Sequence, residues 1–539
     1  MRQHTQATSF AGMGYDVACP RRDSIVQPCF RVNFSVMASV ARPAPTLVSL
    51  PAVLAVLLFA VGLADAGTMI DGDSYWHVAA GRWIAEHAAV PTKDVWSHSV
   101  PGIPWTAHEW LSELLMFRIW QSGGWFSVQV LASAAYALTA AVMLRFLIRR
   151  VSAPVALAAT LLCVEMMRSH FVIRPHVLVW PLTAVWVSAL VDAVENRRTP
   201  SLWLLPLLVL WANMHASFTM GIGLAGALAL DALLSERDRE ARVAVAKGWA
   251  VFGVACVLCT LLNPRGVNAI SHAAGVMSMS ATLDIVREWL SPDFHHFNIT
   301  LVWLGLLFTA ALSGRLRLSP VRIAMLLGLV YLTLKHQRYQ ATLGLVSPFL
   351  VALPLAGVFA SPTSTNGAAE RRDAGWEAWA RRPAKVIGLM LCLALAVATA
   401  QLIHLRRFDD TNPAVTPTRA VDAFDATGVT GRVFNDYVLG GYLIHRGIPV
   451  FIDGRGDMYG DAFMLEWSRA INLTRPRSLE NVFAKYDIGW TLLPPHAPAV
   501  ELLDHLGAWE RIYGDSVAVV HVRRDLLRAA RDSGSAASR

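Results

Sequence analysis

Apolar segments of about the length that crosses a bilayer recur through most of the chain. A helix spans the hydrocarbon core with about 20 residues, or fewer where it is paired or re-entrant. The sequence predicts such spans near 46–66, 125–147, 152–167, 177–194, 201–213, 216–234, 248–263, 299–313, 319–334, 341–360 and 385–404. Charged residues make up only 16% of the chain and hydrophobic residues 55%, whereas a soluble protein carries about a quarter charged residues. We therefore predict a polytopic α-helical membrane protein with about 11 transmembrane helices.

Basic side chains fall in alternate loops between these segments, which predicts the orientation of the chain. The clusters are Arg145, Arg149 and Arg150; Arg197 and Arg198; Arg237, Arg239, Arg242 and Lys247; Arg315, Arg317 and Arg322; and Arg371, Arg372, Arg381, Arg382 and Lys385. Because Lys and Arg collect in cytoplasmic loops, the N-terminus is predicted inside and the loop 67–124 outside. No nucleic-acid partner is expected despite the net charge of +8, because no compact basic patch with interleaved aromatic residues occurs.

Changes of composition divide the chain into four regions. Residues 1–45 are predicted to form a disordered cytoplasmic leader, 46–404 a transmembrane domain, 405–530 an extracytoplasmic α/β domain, and 531–539 a disordered tail. In the third region, short strands are predicted at 433–435, 449–453, 488–493 and 517–523, with a helix at 498–513. Strands that alternate with helices favour a largely parallel sheet.

Carboxylates, histidines and tryptophans crowd the stretch from Asp71 to Glu113, shortly after the first apolar segment. Asp71 and Asp73 place two carboxylates close together, where they would hold a divalent cation or provide a general base. The alternative is that they only end the first helix at the membrane interface. The tryptophans would anchor the loop at the membrane surface or stack on sugar rings. Together these residues favour a carbohydrate site near the interface.

The same stretch resembles the first extracytoplasmic loop of the GT-C superfamily of integral-membrane glycosyltransferases, and in particular a bacterial group within it. The matching motifs are Asp71-x-Asp73-x-x-Trp76-His77, Gly81-Arg82-Trp83-Ile84, Pro91-x-x-Asp94, His108-Glu109-Trp110-Leu111, Trp211-Ala212-Asn213-Met214-His215, Asn263-Pro264-Arg265-Gly266, Arg287-Glu288-Trp289, His336-Gln337-Arg338, Val433-Phe434-Asn435-Asp436, Gly440-Gly441-Tyr442, and Pro449-Val450-Phe451-Ile452-Asp453-Gly454-Arg455 followed by Asp457. This resemblance covers nearly the whole chain after the first apolar segment begins, so a GT-C-like fold is expected.

The resemblance implies transfer of a sugar, with inversion, from a polyprenyl-phosphate carrier to a cell-envelope acceptor, which is a lipid, a polysaccharide or a protein. It implies that the reaction takes place on the outer face of a bacterial inner membrane. It also implies that an acidic residue of the first loop, Asp71 or Asp73, acts as the base or as a metal ligand. Some members of the superfamily bind a divalent metal and others do not, so a Mg²⁺ or Mn²⁺ ion at Asp71 and Asp73 stays open.

An inverting transfer needs a base for the acceptor hydroxyl and a stabiliser for the departing phosphate. Asp71 or Asp73 is the predicted base, with Glu109 in reserve. Guanidinium groups bind phosphate oxygens bidentately, and Lys binds them as a point charge. The candidates on the predicted outer face are Arg174, Arg265, Arg287, Lys335 and Arg338. Each of them is also consistent with a side chain that only snorkels to the interface.

Further polar side chains on the same face are candidates for binding the substrate. They are His77, His108, Asn213, His215, Glu288 and His336. His215, in the turn between two predicted spans, either hydrogen-bonds sugar hydroxyls or caps a helix. His295 and His296 resemble a metal-binding pair, but adjacent residues on an irregular segment rarely both ligate. A solvated loop is the favoured interpretation for that pair.

Three polar residues of the C-terminal domain, Asp436, Asp453 and Arg455, fall at the carboxyl ends of predicted strands, where open α/β sheets bind ligands. Asp453, Arg455 and Asp457 either bind the acceptor or dock this domain on the membrane domain through ion pairs, and docking is slightly favoured. Gly440 and Gly441 do not belong to a GxGxxG pattern, so no nucleotide cofactor is expected.

A lipid-linked sugar transporter or flippase is the alternative function, and a membrane protein with a ligand-sensing domain is a third. Transporters usually have ionisable residues within their spans or an inverted repeat. Here Asp65, Glu165, Asp192 and Asp231 lie near predicted helix ends, and no repeat is visible. A sensor leaves the polar stretch from Asp71 to Glu113 unexplained. A membrane glycosyltransferase is therefore the predicted function.

Overall fold

Helices make up most of the chain that the structure describes. The computed structural model describes residues 49–65, 71–105, 107–359 and 416–537. The predicted leader at 1–45 and the predicted span at 385–404 lie outside these residues. The helices of the first part are α1 (Leu50–Ala64), α2 (Asp73–His87), α3 (Trp110–Leu147), α4 (Ala153–Arg168), α5 (Pro175–Leu178), α6 (Trp180–Glu195), α7 (Leu205–Met214), α8 (Phe218–Ser235), α9 (Arg239–Thr260), α10 (Asn268–Met277), α11 (Ser280–Ile285), α12 (Ile299–Leu312), α13 (Pro320–Lys335) and α14 (Tyr339–Phe359). Two 3-10 turns, Leu202–Leu204 and Arg287–Trp289, stand between them.

Each predicted span within the described residues lies on one of these helices or, at 201–213, on the 3-10 turn that runs into α7. Among the described residues, four helices are long and apolar enough to cross a membrane, namely α3, α8, α9 and α14. Shorter apolar helices occur at Leu50–Ala64, Leu202–Met214 and Ile299–Leu312. These helices indicate a membrane protein, while the number of helices that cross stays a prediction.

Helix α3 begins within the predicted first loop and continues into the apolar segment. It is kinked at Gly123 and Gly124, and Gly124 has a φ of 65°. That left-handed conformation is readily adopted by glycine and breaks the regular helix. The predicted start of the second span, at 125, therefore coincides with a kink rather than with the beginning of a helix. The part before the kink, from Trp110, carries Glu113, which lies 3.4 Å from His77.

An ion-pair network joins helix ends that are predicted to be cytoplasmic. Arg150 binds Asp192 at 2.9 Å and Glu195 at 2.7 Å. Arg322 binds Asp231 at 2.9 Å and lies 3.6 Å from Glu195. These acidic residues are thus each paired with an arginine at an end of the helical bundle.

The C-terminal part contains a small mixed sheet with helices around it. Its elements are α15 (Thr418–Asp425), β1 (Arg432–Asn435), α16 (Gly440–His445), α17 (Gly456–Ile471), α18 (Ser478–Tyr486), β2 (Ile488–Leu493), α19 (Pro498–His505), β3 (Trp509–Gly514), β4 (Val519–Arg523) and α20 (Arg524–Ala537). The strand order is β1-β2-β4-β3. Strands β1 and β2 are parallel, whereas β4 is antiparallel to both β2 and β3.

The prediction of a largely parallel sheet was wrong, because β3 and β4 form a hairpin. The predicted helix at 498–513 ends at His505, and its second half is strand β3. Asp515 stabilises the turn after β3, since its Oδ1 accepts the amides of Val517 and Ala518. Helix α20 extends to Ala537, into the segment 531–539 that was predicted to be a disordered tail.

The predicted strand at 449–453 is an extended segment that pairs outside the sheet. Val450 forms an isolated parallel bridge with Ser97 of the first loop, and the amide of His98 donates to its carbonyl at 2.9 Å. The Nε2 of His98 also donates to the carbonyl of Val433 at 2.8 Å. This segment pairs with the first loop instead of with the sheet. No local sequence pattern encodes such a long-range pairing.

The C-terminal part packs directly on the first loop. Helix α16 lies so close to the start of α2 that a Cβ on Gly441 would overlap the carbonyl of Gly72. The described residues accordingly belong to one compact unit. The first loop is held between the helices of residues 110–359 and the C-terminal part, and this position brings its polar residues to the site.

Candidate active site

The two aspartates of the first loop lie at the N-terminus of α2. Asp73 is the first residue of the helix, and Oδ1 of Asp71 accepts the amide of Asp73 at 3.1 Å. Carboxylates are favoured there because the helix dipole and the unpaired amides attract negative charge. Both side chains are buried. The local sequence thus directs two carboxylates into the interior of the protein rather than into solvent.

One guanidinium group, that of Arg174, joins both aspartates to a third carboxylate. Arg174 precedes Pro175 and has the extended backbone that a following proline favours. Its Nε and Nη2 donate to Asp71, and Nη2 lies 2.9 Å from Oδ2 of Asp73. Its Nη1 donates to Oε2 of Glu288 at 3.1 Å. The structure therefore brings four predicted site residues together around a single positive charge.

A second arginine, Arg338, contacts the other carboxylate oxygen of Glu288. Arg338 Nη1 lies 3.4 Å from Oε1 of Glu288, and its guanidinium stacks 4.2 Å from the centre of the Trp289 ring. The amide of Arg338 also donates to the carbonyl of Glu288. Although burial raises the pKa of Glu288, Arg338 and Arg174 outweigh that effect and lower it to about 2. Glu288 is therefore a permanent negative charge.

Asp73 differs from Glu288 in its protonation. Burial raises the pKa of the Asp73 carboxyl to about 7, even though Arg174 lowers it, because Asp71 and Glu288 add to the effect of burial. A carboxyl group with this pKa exchanges its proton near neutral pH, as a general base must. Two buried carboxyl groups with pKa values this far apart are typical of a catalytic site.

Asp73 lies at the boundary between two cavities. The larger, of about 910 Å³, reaches from Asp71 and Arg174 to the ends of α1 and α4 and the start of α12. The lining of the smaller, of about 340 Å³, includes several aromatic and imidazole rings. Asp73, Arg174, His176, Glu288 and Tyr437 line both cavities. A group in either cavity can therefore reach the Asp73 carboxylate.

A buried polar cluster forms one wall of the smaller cavity. Oε1 of Glu109 lies 3.1 Å from Nε2 of His215, and Oε2 of Glu109 lies 3.7 Å from Nδ1 of His77. His77 also lies 3.4 Å from Glu113, which follows Glu109 by one helical turn. Burial raises the pKa of Glu109 to about 8 and lowers that of His77 and His215. The imidazoles of this cluster are therefore neutral.

Hydrogen bonds define the tautomer of His215. Its Nδ1 accepts the backbone amide of Ser217 at 3.0 Å, so the proton of the neutral ring lies on Nε2. That N–H points to Glu109, which leaves the second oxygen of Glu109 facing His77. His108 Nε2 lies 3.8 Å from Glu109 as well. His77, His108, His215 and Glu109 thus form one connected group.

The C-terminal part contributes two residues beside Asp73. A Cβ on Gly454 would overlap the Asp73 carboxylate, so only glycine allows this backbone to approach it. Tyr437 donates its hydroxyl hydrogen to the carbonyl of Gly454 at 2.9 Å. Burial raises the pKa of Tyr437 well above its ordinary value, so its hydroxyl stays protonated.

Four other predicted residues line neither cavity, and three of them have structural partners. The Asn213 amide is engaged by Trp110, Val209 and Leu262. Arg265 donates to the carbonyls of Pro91 and Trp105. His336 is buried, and its Nδ1 donates a hydrogen bond to the carbonyl of Trp289. Lys335 is exposed at the end of α13. Only Arg287 of the remaining phosphate candidates is exposed on the larger cavity.

The C-terminal candidates divide into two groups. Asp436 lines the larger cavity and accepts the amide of Val438, and burial raises its pKa. Arg455 is only 1% exposed; it binds Asp453 at 2.7 Å and Asp94 of the first loop at 2.8 Å. Arg455 therefore makes the contacts of a docking residue.

The histidine pair before α12 lies away from these groups of residues. His295 and His296 are exposed, and His296 pairs with Asp293 at 3.0 Å.

Sequence reasoning left three residues of the site without a role. Glu113 had a local signal, since it follows Glu109 by four positions and so shares its helix face. His272 lies on α10, where its ring is 4.6 Å from that of His108. Tyr437 lines both cavities. No local pattern marks His272 or Tyr437, because their neighbours in the site come from distant segments.

The residues around Asp71 and Asp73 do not fit a divalent metal. The guanidinium of Arg174 contacts both carboxylates from the space between them, where the cation would bind. Two other groups of described residues have ligand atoms within 4.8 Å of one another. One is His77, Glu109 and Glu113, and the other is His108, His272 and Asp457.

Comparisons with known proteins give distant structural likenesses. No protein-family model and no curated protein matches the chain. ArnT from Cupriavidus metallidurans, solved bound to undecaprenyl phosphate, is 12% identical with a TM-score of 0.48, over 88% of this chain and 97% of that chain. The oligosaccharyltransferase AglB from Archaeoglobus fulgidus, solved with an inhibitory peptide and a dolichol-phosphate, is 11% identical with a TM-score of 0.47, over 82% and 69%. An Archaeoglobus fulgidus oligosaccharyltransferase tethered with an acceptor peptide is 12% identical with a TM-score of 0.45, over 82% and 68%. Likenesses this distant do not define the function of the chain.

Proposed function

We propose that the protein is an integral-membrane glycosyltransferase that moves a sugar, with inversion, from a polyprenyl-phosphate carrier to a cell-envelope acceptor. The observation that carries this proposal is the position of Asp73 in the lining of two adjoining cavities. The order of its motifs, which resembles that of the GT-C superfamily, supports the same function. The proposed location is the bacterial inner membrane, with the site on the extracytoplasmic face.

The larger cavity suits the lipid-linked donor. It is bounded by Asp65, Arg168 and Ile299, at the ends of apolar helices, where a polyprenyl chain could approach from the bilayer. Phe171 and Phe297 add apolar surface. A carrier that is half lipid and half phosphate requires such a boundary between apolar helices and charged side chains.

Arg287 is the proposed ligand of the donor phosphate. Its side chain is exposed on the larger cavity and makes no ion pair with the described residues. Arg174, by contrast, already binds three carboxylates. Because a bidentate guanidinium stabilises the charge that develops on a departing phosphate, the uncommitted arginine is the better candidate. Arg174 is assigned the task of positioning Asp71 and Asp73.

The smaller cavity suits a sugar ring. Trp105, Trp180, Trp289 and Tyr339 offer aromatic faces, and neutral imidazoles such as that of His215 offer hydrogen bonds to hydroxyl groups. Binding sites for small polar ligands commonly combine apolar walls with a few placed polar groups. His77, His108, His176, Glu109 and Arg338 complete the polar part of this wall.

Asp73 is the proposed base of the transfer. The acceptor hydroxyl oxygen forms a bond to the anomeric carbon, and the bond from that carbon to the phosphate oxygen breaks with its electron pair. The hydroxyl proton passes to the carboxylate of Asp73, and the polyprenyl phosphate leaves. In this proposal the donor and the acceptor meet beside Asp73, as an in-line displacement needs.

Substitution of Asp73 tests this function directly. Purified protein in liposomes is given a panel of labelled polyprenyl-phosphate sugars with envelope extract as acceptor, and new glycosidic bonds are measured by mass spectrometry. We expect Asp73→Asn to lower transfer by about 10²- to 10⁴-fold, the usual contribution of a general base. Glu86→Gln is the matched control, because Glu86 is exposed on the same helix.

Two outcomes would contradict the proposal. Undiminished transfer by Asp73→Asn would remove Asp73 from the reaction, and Asp71→Asn then decides whether its neighbour is the base. Movement of labelled sugar across the vesicle membrane without any new glycosidic bond would identify a transporter instead. Transport is the less expected outcome, because Asp192 and Asp231 are paired with arginines at the end of the bundle. Neither carboxylate is therefore available to line a translocation path.

A further inference from the structure

Three side chains that commonly bind metals converge from separate parts of the chain. His108 precedes α3 in the first loop, His272 lies on α10, and Asp457 lies in the first turn of α17. Their ligand atoms all lie within 4.8 Å of one another. The rings of His108 and His272 are 4.6 Å apart, at an angle of 39°. Nothing in the proposed transfer reaction requires this arrangement.

The contact between His272 and Asp457 is not that of a simple hydrogen bond. Their Nε2 and Oδ2 atoms are 3.4 Å apart, beyond the usual range of about 2.7 to 3.2 Å for such a bond. Nε2 of His272 is buried and makes no hydrogen bond with the described residues. A buried imidazole nitrogen without a partner loses the free energy of its hydration, so Nε2 of His272 is available to bind an ion.

The same distance fits two ligands of one tetrahedral ion. Zinc binds imidazole nitrogen at about 2.0 to 2.1 Å and carboxylate oxygen at about 2.0 to 2.2 Å, so two such ligands lie about 3.3 to 3.5 Å apart. His272 and Asp457 therefore need almost no movement to share an ion.

The surrounding structure holds two of the three ligands in place. Asp461, four residues after Asp457 and just past the kink of α17 at Gly460, accepts the amides of Ser280 and Thr282 at the start of α11. Helix α11 follows α10 directly along the chain. The segments that carry His272 and Asp457 are thus joined independently of any ion, which makes the cluster a prearranged site rather than a chance approach of mobile side chains.

We propose that His108, His272 and Asp457 bind one divalent transition-metal ion of the zinc type, with a further position open to the smaller cavity. All three residues are half-buried and line that cavity. Two imidazoles and one carboxylate favour zinc over Mg²⁺, which prefers oxygen ligands. Three protein ligands with an open position are typical of zinc sites that bind a substrate or water oxygen. The group His77, Glu109 and Glu113 is the weaker candidate, because Glu109 already accepts from His215.

Metal binding by the full chain tests this site without reference to transfer activity. The protein is purified in detergent, stripped with a chelator and titrated with Zn²⁺ alone and with Co²⁺ alone. Metal content is measured by mass spectrometry, and Co²⁺ coordination by its visible absorption. We expect one ion per chain, and a loss of affinity of about tenfold or more in both His272→Ala and Asp457→Asn.

Two controls keep the result interpretable. His296→Ala removes an exposed histidine between α11 and α12, and this variant should bind the ion as the unchanged protein does. Asp71→Asn should also bind it, because Asp71 belongs to the other cluster. Each variant is first checked for a native elution volume and helical content. Absence of bound Zn²⁺ in the unchanged protein, equal affinity in Asp457→Asn, or loss of binding in Asp71→Asn alone would each overturn the proposal.

Discussion

Arg174 determines the electrostatics of the site at the scale of single residues. One guanidinium binds three carboxylates, so full ionisation of all three would leave two negative charges in excess. Arg338 offsets one of them through Glu288. The proton that Asp73 retains up to about pH 7 offsets the other. Asp73 therefore becomes available as a base only when this proton leaves, above about pH 7.

The pH profile of transfer follows from the pKa of Asp73, which burial raises to about 7. A base works only when it is deprotonated, so the rate should fall about tenfold for each pH unit below about 7 and level off above about 8. Transfer in liposomes, measured at saturating donor, checks this. Glu86→Gln should follow the same profile, since Glu86 is exposed. A rate that does not change between about pH 5.5 and 8 would exclude Asp73 as the base.

The sequence identified most of the charged residues of this site but not their partners. Asp71, Asp73, Arg174 and Glu288 were all candidates, yet Arg174 was expected to bind phosphate, whereas the structure places it on carboxylates. Asp71 and Arg174 are 103 positions apart. A pattern in one sequence indicates the type of a residue and the membrane face on which it lies, but not which distant side chain it contacts. The same limit explains why His272 and Tyr437 had no predicted role.

The contact between α2 and α16 is the decisive one at the scale of elements. Gly72 and Gly441 allow the two backbones to approach more closely than any side chain permits. This approach fixes the N-terminus of α2, where Asp71 and Asp73 lie. In the Gly440-Gly441 pair, which did not belong to a nucleotide-binding pattern, Gly441 is therefore explained by this helix packing and Gly440 by its close approach to the backbone of Ile452.

A methyl group at Gly441 should separate these helices. In Gly441→Ala the new Cβ would overlap the backbone carbonyl of Gly72, and overpacking of this kind costs about 1–3 kcal/mol. We expect a lower midpoint of thermal unfolding together with reduced transfer, because Asp73 moves with α2. Gly507→Ala is the control, since nothing lies within 4 Å of a Cβ there. Equal midpoints for the two variants would contradict the packing argument.

Elements with strong apolar runs were predictable, and elements that depend on distant pairing were not. Each predicted span within the described residues is helical because about 20 apolar residues in a membrane must satisfy their own backbone hydrogen bonds. The segment at 449–453 has the composition of a strand, yet Val450 pairs with Ser97 of the first loop in an isolated bridge outside the sheet. Strand β3 was predicted as helix because its apolar spacing, read without its partner β4, suits either structure.

At the scale of the whole molecule, the C-terminal part completes the site instead of standing apart from it. Gly454 and Tyr437 lie beside Asp73, and Asp457 lies beside His272. The membrane helices alone would leave both cavities without one wall. Whatever joins this part to the first loop must therefore affect both stability and transfer, and the principal charged connection is the Arg455 network.

Arg455→Met should separate docking from acceptor binding. Arg455 is buried between Asp94 and Asp453, with its guanidinium near the rings of Trp96 and Trp105. Its removal leaves two buried carboxylates unpaired, which costs about 3–5 kcal/mol. Docking predicts a lower unfolding midpoint and faster proteolysis between the two parts.

Arg446→Met gives the matched comparison, because Arg446 pairs with Asp422 and Asp425 on the surface of the same part. Surface ion pairs contribute about 0–1 kcal/mol, so this variant should unfold close to the unchanged protein. If Arg455 instead binds the acceptor, Arg455→Met will keep its unfolding midpoint and raise only the KM for acceptor. A large loss of stability in Arg455→Met but not in Arg446→Met would show that the first loop depends on the C-terminal part for its position, and with it the carboxylate proposed to start the reaction.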